Sequence, residues 1–88
     1  NQPLAAKQPT EPTLLDQLLH SAAHTFAQNA KKYPGRADTH YHLAVCQNAI
    51  DDESDAKQNV LKALEINPNY RAAQSLDRQI DLPDSRAA

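Results

Sequence analysis

No tryptophan and no methionine occur in the 88-residue chain, and there is one glycine, one cysteine and one phenylalanine. Each scarcity excludes something. A single glycine leaves no room for a glycine-rich loop that would cradle phosphate. A single cysteine, Cys46, forbids an intrachain disulfide and with it a disulfide-stapled scaffold. Valine and isoleucine together number five, too few β-branched residues for a sandwich, a barrel or an α/β sheet. No apolar run approaches the roughly 18 residues of a membrane span, so no membrane insertion is expected. With no methionine, a start at Asn-Gln-Pro predicts a chain processed or cut from a larger protein. Nine basic against eleven acidic side chains give a net charge of -2. That balance argues against a nucleic-acid reader, whose signature is an excess of Lys and Arg on one face. The charge is nonetheless uneven: residues 1–36 sum to +2 and residues 37–88 to -4.

What is present is helical. Alanine alone supplies 15 residues, and Leu, Gln, Lys, Glu and Arg fill much of the rest, all strong helix formers. Proline punctuates the chain. Pro3, Pro9 and Pro12 mark residues 1–12 as an extended linker. Residues 13–83 then read as one domain of four helices, at about 13–32, 37–50, 53–66 and 69–82, with 84–88 a frayed tail. In the first helix Leu14, Leu15, Leu18, Leu19, Ala22, Phe26 and Ala30 form an apolar stripe. Thr13 and Asp16 suit its start, and Lys31 and Lys32 suit its end. The second carries Tyr41, Leu43, Ala44, Val45, Gln47 and Ile50; the third Ala56, Val60, Leu61, Ala63, Leu64 and Ile66; the fourth Ala72, Ala73, Leu76, Ile80 and Leu82. Short turns between them predict an all-α, antiparallel helix-turn-helix stack.

Each candidate for chemistry has a plainer explanation. His20 and His24 are four apart, a zinc-compatible spacing, yet no further ligand follows, and both read as surface histidines. His42 and Cys46 share that spacing, but Cys46 falls in an apolar stretch and reads as a small buried hydrophobe. The Asp51–Asp55 run lacks the alternating ligands and central glycine of a calcium loop; acidic residues at a helix start are ordinary dipole partners. No catalytic residue, metal site or cofactor is expected, and the chain does not read as an enzyme.

A repeat is visible. Pro34 and Pro68, Ala22 and Ala56, and Phe26 and Val60 are each separated by 34 residues. The stretch Ala37 to Tyr70, ending in Ala63-Leu64-Glu65-Ile66-Asn67-Pro68-Asn69-Tyr70, resembles a tetratricopeptide repeat. Leu43-Ala44 match the leucine and small residue of that family's first helix, and Ala56, Val60, Ala63 and Pro68 match its second. His40 stands where the family prefers a bulky aromatic, and Asp51 where a turn glycine is common. Residues 13–82 would then hold one full repeat and two halves, with a polar, cap-like last helix.

The resemblance implies a curved solenoid whose inner surface, made by the first helix of each repeat, receives a peptide or a partner's helix. The inward-facing candidates it implies are Asp38, Tyr41, Val45 and Asn48: a negative rim, an aromatic anchor, an apolar contact and an amide for a peptide backbone. A chaperone's carboxylate tail, which the family clamps with lysines and asparagines, is not the expected ligand, because Asp38, Tyr41 and Val45 are wrong for it. The alternative is a structural module that spaces or caps other domains, or self-associates, without a ligand groove.

Overall fold

A computed structural model describes residues 13–82; the expected linker 1–12, Pro83 and the tail 84–88 lie outside the described residues. Four helices follow in order: α1 (Leu14–Lys32), α2 (Ala37–Ala49), α3 (Glu53–Ile66) and α4 (Arg71–Asp81). The described residues contain no strand, and the chain is an all-α helical stack.

The helix boundaries have local chemical causes. At the start of α1, the Thr13 hydroxyl accepts from the Asp16 N–H (3.0 Å) and the Asp16 carboxylate accepts from the Thr13 N–H (3.3 Å), a reciprocal capping box. Lys31 and Lys32 occupy its last turn, where the dipole favours cations. Helix α2 ends one residue earlier than its sequence pattern suggests. Ile50 caps it and Asp51 takes a left-handed conformation (φ 65°), so that the Asp52 N–H reaches the Gln47 carbonyl (2.8 Å) and the Asp51 N–H that of Asn48 (3.2 Å). These are the two bonds of a Schellman ending, and the left-handed residue is where glycine costs least. Helix α4 starts two residues later than predicted. The Asn67 side chain accepts from the Asn69 N–H (3.2 Å) and Pro68 follows, so residues 67–70 stay in a turn and Tyr70 becomes the extended cap.

The core is built of small residues. Ala44, Ala56, Val60, Ala63 and Ala73 are fully buried and Leu76 nearly so, in one cluster joining α2, α3 and α4. Small side chains let helix axes approach to about 8–10 Å. Helix α2 lies between α1 and α3 and also touches α4. It is therefore buried on more than one side, through Thr39, His40, Leu43, Ala44 and Cys46. Two links tie neighbouring helices. The Asn59 amide donates to the Gln47 side chain (2.8 Å) between α3 and α2, and Lys57 pairs with both Asp77 and Asp81 (2.7 Å to the latter) between α3 and α4.

Two sequence expectations need amendment. The apolar stripe of α1 is only partly used: Leu19, Ala22, Phe26 and Ala30 are half-buried, but Leu14, Leu15 and Leu18 remain 71, 63 and 58% exposed. Nineteen residues span about 28 Å and the thirteen of α2 about 20 Å, so the shorter helix does not reach the start of α1. The second concerns His40, whose position in the pattern calls for a bulky aromatic. The imidazole fills that buried place, its Nε2–H donating to the Pro34 carbonyl (2.8 Å), while Nδ1 has no hydrogen-bond partner among the described residues.

Candidate interaction groove

Helices α2 and α4 leave an open groove of about 480 Å³ between them. Tyr41, Val45, Asn48 and Ala49 line it from α2, at the three- and four-residue spacings that put side chains on one face. Ala72, Ser75, Leu76 and Gln79 line it from α4, again with helical spacing. Three of the four residues singled out from sequence thus meet in one groove. Asp38, the fourth, does not line it. It sits one turn before Tyr41 in the first turn of α2 and is exposed.

The contribution of α4 could not have been read from the resemblance to one repeat, because it comes from the adjoining half. Its signal was the apolar and small spacing Ala72, Ala73, Leu76, Ile80. That pattern splits into a buried side (Ala73, Leu76) and a groove side (Ala72, with Ser75 and Gln79).

The wall of the groove is polar-neutral and its floor apolar. Ala49, Ala72, Leu76 and Val45 supply carbon surface; the Asn48 and Gln79 amides and the Tyr41 and Ser75 hydroxyls supply donors and acceptors. Among the described residues no Lys, Arg, Asp or Glu lines it.

Tyr41 holds the groove to the rest of the fold. It is half-buried, packs against the core cluster and meets the Tyr70 ring at a centroid distance of 5.1 Å. The Tyr41 and His42 rings meet edge-to-face with centroids 5.2 Å apart, and His42 in turn stacks on Phe26 at 5.6 Å. A row of four rings therefore runs from α1 across α2 to the start of α4. Burial raises the Tyr70 phenol above the ordinary tyrosine value, and the nearby Asp38 carboxylate and Tyr41 raise it further.

The other candidate residues are dispersed. His20, His24 and His42 are exposed, Cys46 is buried with its thiol pushed up by burial, and no group of three or more His, Cys, Asp or Glu side chains able to hold a metal ion occurs among the described residues. In the acidic turn, a hydrogen bond that the Asp55 carboxyl donates to the Asp52 carboxylate, and then the charge of Asp52, raise Asp55 above the ordinary aspartate value. None of the described helices is long and apolar enough to cross a membrane. Comparison with protein-family models, with curated proteins and with solved structures finds no match to this chain.

Proposed function

We propose that this chain is a non-catalytic protein–protein interaction module of the tetratricopeptide-repeat kind, receiving a peptide or a partner's helix in the groove between α2 and α4. The observation that carries the proposal is the convergence of Tyr41, Val45 and Asn48 with Ala72, Ser75 and Gln79 along one groove. In the repeat scheme α2 and α4 are the first helices of successive repeats, the helices that face a ligand. The fully buried Ala44 and Ala56 and the left-handed turn at Asp51 support the same scheme. A half-buried tyrosine, an apolar floor and two amides suit a short amphipathic segment, with the ring as its anchor.

The test is selection of binding peptides from a random library on the 88-residue chain, followed by mapping of the bound site through backbone amide resonances. The proposal expects shifts concentrated at residues 41–49 and 72–79. Shifts confined to other surfaces, or no peptide selected, would count against it.

A second reading, a helical spacer or self-association module, draws on one observation: the exposed Leu14, Leu15 and Leu18 at the start of α1. Sedimentation of the native chain beside a Leu18→Glu variant distinguishes it. A native oligomer that the substitution dissolves favours this reading, and two monomers favour the groove.

A further inference from the structure

We propose that a second cleft, between α1, α2 and α3, receives an acidic side chain of a partner peptide with an apolar residue beside it. This cleft holds about 330 Å³ and shares no lining residue with the groove between α2 and α4. Three helices build it. Ala27, Ala30 and Lys31 line it from α1, and Asn59 and Lys62 from α3. His40 and Leu43 line it from α2, which packs on both of the other helices. The residues of each helix are three or four apart, so each helix turns one face to the cleft. Ala27, Ala30, Pro34 and Leu43 supply carbon surface, and the two lysines supply charge. Among the described residues no Asp or Glu lines it.

The lysines are the groups in this cleft that await a partner. His40 gives its Nε2–H to the Pro34 carbonyl, and its Nδ1 has essentially no exposed surface. The Asn59 amide donates to the Gln47 side chain (2.8 Å) and to the Asp55 carbonyl (3.1 Å). Among the described residues neither Lys31 nor Lys62 has an ion-pair partner. Glu65, three residues after Lys62, lines an adjoining cleft but makes no ion pair with it. The helix ends nearby do not cancel the charge. The C-termini of α1 and α3 each carry roughly half a negative charge and the N-terminus of α2 roughly half a positive one, against two full lysine charges. A carboxylate entering the cleft therefore gains charge-assisted hydrogen bonds, while an apolar neighbour covers the alanine and leucine surface. A basic segment would instead meet two lysines with no carboxylate lining the cleft to offset them.

Two capped peptides of nearly one shape separate charge from fit: acetyl-Leu-Glu-Leu-amide and its uncharged counterpart acetyl-Leu-Gln-Leu-amide. Each is titrated at neutral pH and constant ionic strength into the 88-residue chain while backbone amide resonances are followed. The Glu peptide should shift residues 27–31, 40–43 and 59–62, with an apparent affinity at least threefold above that of the Gln peptide. The double variant Lys31→Gln, Lys62→Gln should abolish that preference and Lys31→Arg, Lys62→Arg should retain it, all with unchanged helical spectra. Lys32→Gln, beside the cleft but outside its lining, should leave the preference intact. Equal affinities for the two peptides, no shifts at these residues, or an equal loss in Lys32→Gln overturn the inference. None of these outcomes bears on the groove between α2 and α4, whose test reads residues 41–49 and 72–79.

Discussion

The Tyr41 and Tyr70 rings pack with their centroids 5.1 Å apart and join the first half of α2 to the cap of α4. Tyr41 therefore belongs both to the core packing and to the groove wall. Tyr41→Ala removes a half-buried ring, and the expected cost is about 1.5–3 kcal/mol, below the roughly 3–5 kcal/mol of a fully buried aromatic. Tyr41→Phe keeps the ring contact and should cost less than about 1 kcal/mol. Urea melts followed by circular dichroism measure both.

Ala44 and Ala56 have no exposed surface. Replacing either with leucine forces extra carbon between helices packed on small residues, at an expected cost of about 1–3 kcal/mol. In a domain this small that is a large share of the stability. Retention of the native melting temperature by both variants would contradict the packing described for α2 and α3.

Asp51 holds a left-handed backbone that glycine adopts without penalty. Asp51→Gly should raise stability by roughly 0.5–1 kcal/mol, and a β-branched Asp51→Val should lower it by more than that. Thermal melts of the two variants should move in opposite directions.

Asp77 first, and then Asp81, raise the Lys57 ammonium above the ordinary lysine value through hydrogen bonds. A lysine whose folded value is raised contributes stability that is fully present below the unfolded value near 10.4 and fades as pH rises through the higher folded one. The pair is partly exposed, so its net worth is about 0.5–1 kcal/mol. Chemical denaturation at pH 8 and pH 11.5 should show a gap between native chain and Lys57→Met that narrows at the higher pH.

Much of this architecture is legible before any coordinates, and the reasons are local. Thr13 and Asp16, Asn67-Pro68 and the alanine positions 44, 56 and 63 act through short-range geometry, which a sequence displays directly. The failures are tertiary. Leu14, Leu15 and Leu18 carry a proper helical stripe, but whether it is covered depends on the length of α2, not on α1. His40 reads as a polar departure, yet a carbonyl at Pro34 makes its burial workable. Tyr41, Val45 and Asn48 share a face by spacing alone; that Ala72, Ser75 and Gln79 stand opposite them follows only from the docking of α4. The Lys57 pairing with Asp77 and Asp81 spans two helices and leaves no periodic mark.

Val45 offers the most direct test of the groove, because it lines the floor yet is 38% exposed and can change without emptying the core. Affinity for a library-selected peptide and the melting temperature are measured together on the native chain and on Val45→Glu. The account predicts at least a tenfold loss of affinity with the melting temperature nearly unchanged. Native affinity in the variant would contradict the groove as the binding site.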